Sequence, residues 1–387
     1  MNNRMTMNAA IDPVRAQAKP VLRGMRSLRD LVGGHSPLLL HAGPPYASPR
    51  QIPAPVLNSA VAATLAEGWT ASAVEARQAI LSGLIPLEPA QDHGVVTPLA
   101  FVVSPSIPLL RVEDDNSGLV RHAPLNDGPA PGALRFGASA ENGVDRLRRL
   151  IAIGPDMARA LDAPIALLPV MAAGLSGGDD LHGVVAATNA ILRQRLARLL
   201  SGDAALYLAE ADHFALNVVM AACAVLLADM ASRTIRGIVR VGGNGVDVGW
   251  SVAGEDGWRR TPATTPVGPI GEDHRDRTPL PAIGDSMVID ASGFGAAALH
   301  KAPALRAQLI AHGAIPDPAP PANRGFVGTH ALLPPDIRLG FALGEGGGEE
   351  SDKEGYGHRL AAILAILDAG GDAGLIGRGI STATIAS

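Results

Sequence analysis

The sequence predicts an α+β protein of several units, with mixed sheets flanking a central, mainly helical part. Three observations predict it. Apolar side chains recur at three- and four-residue spacing over 141–161, 180–200 and 206–230, the period of a buried helical face. On either side the pattern changes to short β-branched runs punctuated by Gly and Pro, at 94–112 and 235–252. A chain of 387 residues also exceeds what one ordinary core organises. The expected division is a flexible arm over 1–20, an N-terminal α/β unit over 21–139, a helical middle over 140–232 and a C-terminal α+β unit over 233–387.

Composition narrows the function classes. With 32 basic against 37 acidic residues the net charge is −5, and no basic block marks a nucleic-acid footprint. Three Trp, three Tyr and six Phe leave little for base stacking and require a core of small side chains. The 47% hydrophobic content excludes a disordered scaffold. One cysteine, Cys223, rules out an intrachain disulfide and a Cys-based zinc cage, which fits a cytoplasmic location. Residues 1–19 lack the apolar run of a secretory signal, and the most apolar stretch, 218–228, is too short to cross a bilayer. Neither nucleic acid nor membrane is expected as a partner.

Along the chain, 21–32 reads as a short basic amphipathic helix and 38–40 as a strand. The strand ends at His41-Ala42-Gly43-Pro44-Pro45, so His41 stands where a strand opens into a rigid loop, a common place for a ligand contact. Two helices follow over 55–67 and 72–81, then a sheet pair, 95–103 and 107–112, about Ser104-Pro105-Ser106. Asn126-Asp127-Gly128-Pro129 marks a turn. Arg135, beside the loop that follows, can hold an anionic oxygen bidentately or pair with Asp127. The helix over 206–230 carries Asp212, His213 and Asn217 near its start, with a His213–Asn217 contact as the plain structural reading.

Strands at 235–241 and 246–252 form a hairpin about Gly242-Gly243-Asn244-Gly245. The polar stretch 261–280 reads as a solvated loop. In 284–295 a strand feeds a glycine turn and then a helix to about 312, which places free N–H groups of the Gly293 turn, with Asp285 and Ser286, at a helix mouth suited to phosphate or carboxylate. No Gly-Lys-Ser/Thr follows, so this is not a Walker A loop. Linkers over 314–325 and 344–357 flank a strand at 337–343, a last helix covers 358–368, and 371–387 is a glycine-punctuated tail.

The centre of the chain is Gly177-Gly178-Asp179-Asp180-Leu181-His182. Asp179 or Asp180 becomes the N-cap of the helix that follows. On that helix His182, Ala186, Asn189 and Arg193 fall at i, i+4, i+7 and i+11, one polar stripe able to line a cleft. The plain alternative is an ordinary capping Asp beside a surface His. Asp179, Asp180 and His182 at this spacing can also ligate a divalent ion, the weakest reading because Asp is so common at caps, and no metal ligand is assigned.

These segments, in this order, resemble the oxamate carbamoyltransferase component family of bacterial allantoin-degradation clusters, long catalogued as a domain of unknown function. The residues that carry the resemblance are Leu40-His41-Ala42-Gly43-Pro44-Pro45, Glu67-Gly68-Trp69, Ser104-Pro105-Ser106, and Asn126-Asp127-Gly128 with Leu134-Arg135-Phe136-Gly137-Ala138. Further on come Gly178-Asp179-Asp180-Leu181-His182 with Thr188-Asn189, His213-Phe214 with Leu216-Asn217, Gly243-Asn244-Gly245, and Gly284-Asp285-Ser286 with Gly293-Phe294-Gly295. They span about 35–310.

The resemblance implies a cytoplasmic hetero-oligomer that works with other carbamoyltransferase subunits in purine catabolism and nitrogen metabolism. The implied reaction is oxamate plus carbamoyl phosphate to or from oxalurate plus phosphate, or the same exchange on a related ureido or amide acid. That chemistry needs donors for a developing oxyanion, a cradle for anions and a group to manage an amide proton. The candidates are His182 oriented by Asp179, with Asp180 and Asn189, for catalysis. His41, Asn126, Arg135, Asn217, Asn244, Asp285, Ser286 and Gly293 are the candidates for binding the small anionic substrate. No cofactor is expected.

The chain departs from the family pattern where that pattern runs on from the His into Arg-Asn, here Val184-Val185. It departs again at Gly243, an Arg in the family, and in the glycine loop before Leu134, which has no Lys. Lost cations weaken anion contacts, so the alternative is a noncatalytic structural or regulatory subunit, or a divergent paralogue.

Overall fold

The first described strands are β1 (Val14–Arg15), inside the stretch expected to be an arm, and β2 (Pro20–Ser27), which replaces most of the helix expected over 21–32. Val21 and Leu22 of β2 are paired on both sides, with Glu113 and Val112 on one and with Ala166 and Ile165 on the other, and a bulge falls between Leu22 and Met25. Two-sided pairing overrides a pattern that also fits a helical period. Helix survives only in α1 (Leu28–Val32), which starts at a Ser27–Asp30 capping box. The computed structural model describes residues 14–34, 36–130, 132–137, 139–316, 325–343 and 358–385. Most of the expected arm, Ala138, the linker 344–357, much of the linker 314–325 and the last two residues lie outside them.

Next come β3 (Leu39–His41), α2 (Ala54–Ala66), α3 (Ala73–Leu81), β4 (Leu87–Pro89), β5 (Pro108–Asp114) and β6 (Val120–Pro124). Helices α2 and α3 match the expected pair. Over 95–103 only isolated bridges form, at Val95 and Val103, because this stretch winds between β3 and β6 as a buried loop. The middle of the chain forms α4 (Ala140–Ala160), β7 (Ile165–Ala166), α5 (Leu167–Ser176), α6 (Ala186–Leu196), α7 (Gly202–Glu210) and α8 (Phe214–Arg233). The helix expected over 206–230 is therefore two, broken at Asp212-His213, and that over 180–200 starts only at Ala186. By length and composition α8 could span a membrane, yet 83% of its apolar window is buried against the protein. It packs on β5, β6, β8 (Ile238–Asn244) and α5 as a core helix, with Cys223 sealed inside.

After β8 follow β9 (Asp247–Val252), β10 (Arg259–Pro262), β11 (Ile283–Gly284), α9 (Met287–Ala291), α10 (Pro303–Ala311), β12 (Phe326–Thr329), β13 (Leu339–Phe341), β14 (His358–Leu367) and β15 (Leu375–Ile385). The hairpin β8–β9 is as expected. The last helix is not: β14 and β15 form a long antiparallel ribbon, so the run Leu360-Ala361-Ala362-Ile363-Leu364, rich in helix formers, is held extended by its partner. Among the described residues the sheets run β6-β5-β2-β7, β10-β9-β8-β11, β1-β12-β13, β3-β4 and β14-β15. This is a mixed α+β architecture. One hydrophobic cluster runs from Ala16 to Ile385, and a smaller one lies between α10 and the ribbon. Phe101, Phe214, Phe294 and Phe341, the largest fully buried side chains, lie in the main cluster.

Buried carboxylates tie the loops to this core. Glu67, its side chain 2% exposed, accepts Ser106 N–H at 2.7 Å and the hydroxyls of Ser104 and Ser106 at 2.8 Å, so the end of α2 grips the loop before β5. Asp285 does the same between β3 and β8: Oδ1 accepts Gly43 N–H at 2.9 Å and Gln91 Nε2–H at 2.6 Å, and Oδ2 accepts Thr97 N–H at 3.0 Å. Backbones touch there. A Cβ on Gly43, whose φ is +77°, would lie 2.4 Å from the Gly243 carbonyl carbon, so only glycine allows this approach. Burial outweighs the three donors and pushes the Asp285 carboxyl up to about 7.

Two predictions follow from these ties. Glu67→Ala leaves buried donors without an acceptor and should cost about 3 kcal/mol in urea unfolding, with Glu67→Gln costing less; an unchanged midpoint would contradict the tie. For Asp285, the unfolded carboxyl ionises near pH 4, so between about pH 4 and about pH 7 the native state binds the extra proton. Its contribution therefore weakens stability as pH rises through that window and is flat above it. Asp285→Asn should remove this fall, as unfolding at about pH 4 and about pH 8 will show.

Candidate functional site

The turn between α5 and α6 is built by its own carboxylates. Asp179 is not the residue adjoining α6, yet it caps that helix: Oδ1 accepts Ala187 N–H at 3.0 Å, and Oδ2 accepts Thr188 N–H and the Thr188 hydroxyl, both at 2.7 Å. Asp180 Oδ1 accepts His182 N–H at 2.7 Å and Val184 N–H at 3.1 Å, which closes a turn with Leu181 at φ +72°. Its Oδ2 is buried without a partner, and burial raises the carboxyl above its ordinary range. The expected orienting of His182 by Asp179 is corrected. Asp179 is spent on α6, and the imidazole is held by Asp290, its Nδ1 2.7 Å from Oδ2.

Asp290 is fully buried in α9. Its Oδ1 accepts Ala296 N–H at 2.9 Å and Ile363 N–H at 3.2 Å, so the glycine turn and the ribbon both fix it. Gly295 permits the contact: a Cβ there would stand 2.3 Å from Asp290 Oδ1 and 3.0 Å from His182 Cβ. Among the described residues His182 Nε2 has no hydrogen-bond partner, and it is not among the sealed polar atoms, so this edge of a ring 6% exposed is the one that meets solvent.

Beside this turn lies a cleft of about 620 Å³. Gly183, Val184, Val185, Asn189 and Arg193 line it from the turn and α6, with Asp212, His213 and Arg378 from elsewhere in the chain. Arg193 is tied to Asp212 at 3.6 Å and to the Ala209 carbonyl. Arg378, on β15, has no side-chain partner among the described residues. Burial, then the cationic Arg135 and Arg378, lower the His213 pKa against the opposing pull of Asp212. Asn189 shapes the cleft, because Nδ2 donates to Ala211 O at 3.2 Å and Oδ1 accepts Ala215 N–H at 3.0 Å across the break between α7 and α8.

The other expected residues fall into two neighbouring knots. In the first, Arg135 takes the structural one of its two readings: Nη1 binds Asp127 and the Gly128 carbonyl, in a pair almost fully buried. Asn126 reaches His213 O at 3.4 Å, and Asn217 donates to Pro124 O at 2.8 Å, so no His213–Asn217 contact forms. In the second, His41 donates from Nδ1 to Ala42 O at 2.7 Å, stacks on Tyr46 and is pushed down to about 4 by burial. Asn244 there donates to Pro44 O at 2.9 Å, beside Asp285. Ser286 Oγ is buried and unpartnered. Gly293 makes its close approach to the protein: a Cβ would lie 1.7 Å from the Arg338 carbonyl oxygen.

The expected residues thus do not converge on one pocket. Asn189 lines the cleft, His182 directly precedes its wall residue Gly183, Asn126 borders it through His213, and His41, Asn244 and Asp285 form a packed junction. Asp179, Asp180 and His182 point their ligand atoms at different partners, and among the described residues no group of three His, Cys, Asp or Glu is set to hold a metal. Two residues escaped the sequence reading, one behind the His182 ring and one on the cleft lining. Asp290 had a signal, a lone carboxylate inside the apolar run Met287-Val288-Ile289-Asp290-Ala291. Arg378 had none, because the ribbon that carries it read as a tail.

The comparisons agree with this architecture. The family model for oxamate carbamoyltransferase subunit AllG matches residues 85–286, just over half of the chain. The chain is 28% identical over 313 residues to the oxamate carbamoyltransferase subunit AllG of Escherichia coli (strain K12), covering 76% of this chain and 74% of that one. It is 27% identical over 304 residues to the uncharacterized protein YahG of the same organism, covering 75% of this chain and 64% of that protein. A crystal structure of a conserved protein of unknown function from Enterococcus faecalis V583 shares the fold, with a TM-score of 0.78 at 23% identity over 94% of this chain and 90% of that one. The chain belongs to the oxamate carbamoyltransferase subunit AllG family.

Proposed function

We propose that this chain works as one subunit of a cytoplasmic carbamoyltransferase complex and that the cleft beside α6 receives its small acid. The exchange is oxamate plus carbamoyl phosphate with oxalurate plus phosphate, or the same transfer on a related ureido or amide acid. Family membership supports the subunit role. The observation that carries the site is Arg378, a guanidinium that lines the cleft together with Asn189 and has no side-chain partner among the described residues. A guanidinium fork takes a carboxylate through two parallel hydrogen bonds, and His213 alongside adds a polar contact, while Asp212, also on the cleft lining, is paired with Arg193.

A second reading has its own support. Val184 and Val185 line the cleft where the resembling family carries Arg-Asn, which favours a less charged acid or a subunit that binds without turnover. Gly243 is a different case. It lies outside the cleft, and a Cβ there would stand 2.4 Å from the Ala282 carbonyl oxygen, so this backbone admits no arginine.

Calorimetry with oxamate on the chain assembled with its partner subunits tests the site. Arg378→Ala should weaken binding by roughly 10- to 100-fold, the worth of a charge-assisted contact, and Arg378→Lys should recover part of it. Equal affinity for wild type and Arg378→Ala would contradict the assignment.

A further inference from the structure

We infer that His182, at the edge of this cleft next to its wall residue Gly183, is the group that takes the amide proton and that Asp290 is the positioning residue that sets it for the task. The inference rests on the proposed function and deepens it. Asp290 stands in an apolar turn of helix at 0% exposure, a costly place for a carboxylate unless its oxygens are satisfied. Two backbone N–H groups satisfy Oδ1, and Oδ2 is left for the imidazole. A carboxylate on Nδ1 requires the proton there, which puts the lone pair on Nε2. That nitrogen alone is open, one residue from Gly183 on the cleft wall.

The chain holds this arrangement at some cost. Gly295 must be glycine for the pair to touch, and Asp180, the other carboxylate beside the ring, gives its Oδ1 to the turn and is driven by burial toward its neutral form. Asp290 is then the carboxylate that meets the ring across a hydrogen bond.

The step balances. The oxamate nitrogen attacks the carbamoyl carbon, the C–N bond forms, and the C–O bond to phosphate breaks with its electron pair leaving on phosphate. The proton shed by nitrogen goes to His182 Nε2, the imidazolium is stabilised by Asp290, and the proton passes from Nε2 to water. The carboxylate orients and stabilises without itself taking the proton.

The test combines NMR of the full chain labelled with 15N-histidine and turnover of carbamoyl phosphate with oxamate by the assembled complex. In the wild type His182 should carry its proton on Nδ1, identified by the signal lost in His182→Gln. Asp290→Asn should move it to Nε2, because a carboxamide can donate to Nδ1. Both variants should lose roughly 10²- to 10⁴-fold in turnover with unchanged oxamate affinity. His182→Gln can still donate to Asp290, so it keeps the buried carboxylate satisfied; should Asp290→Asn not fold, the wild-type tautomer and His182→Gln decide. An Nε2–H tautomer in the wild type, or an active complex undiminished by His182→Gln, overturns the inference alone. A wild-type complex that transfers no carbamoyl group to oxamate overturns the proposed function and the base role with it.

Discussion

The structure depends on carboxylates that are buried and satisfied by backbone N–H groups from distant parts of the chain. With so few aromatic side chains, the core is assembled from Ala, Val, Leu and Gly, which pack helices and strands well but give long loops little to anchor on. Acceptors do that work. Asp114 gathers Lys19, Asn116 and Ser117, and Asp229 holds the N–H groups of Gln17 and Ala18. Asp368 closes the turn of the ribbon through Gly370, Asp372 and Ala373. Hydrogen bonds to a carboxylate are stronger than neutral ones, and leaving such an acceptor or its donors unpaired is costly wherever the site is buried.

This constraint separates two kinds of polar cluster that look alike in one dimension. Around Asp285 both carboxylate oxygens are satisfied and glycine backbones touch, so the junction ties β3, β8 and β11 together, with Ser286 Oγ and His41 Nε2 buried beside it without partners. Around Asp290 the same satisfaction stops one atom short: the second oxygen holds an imidazole whose far nitrogen remains open. The ribbon matters to both ends of that site. It gives Ile363 N–H to Asp290 and brings Arg378 to the cleft, so a segment beyond the stretch that the family model covers completes it.

Much of this was legible in the chain. Helices α2, α3 and α4, the β8–β9 hairpin and the polar turn before α6 follow from apolar period, glycine placement and capping residues. What was not legible depended on pairing. The run 21–32 suits a helix until two strands claim it, and 358–368 is made of helix formers that only β15 keeps extended. The site divided the same way. His182 announced itself beside two aspartates, but its partner lies 108 residues away, so the neighbour in sequence was named in its place. Asn126, Asn244 and Asp285 stood out as polar residues amid turns, and spacing alone cannot tell a carboxamide that meets a ligand from one that ties a loop.

A crystal structure of the assembled complex with oxamate bound tests the central claim most directly. The account predicts the oxamate carboxylate on the Arg378 guanidinium, with the amide nitrogen within about 3 Å of His182 Nε2, the reach of a proton transfer. Oxamate seated elsewhere, with the imidazole edge sealed by apolar side chains, would contradict it.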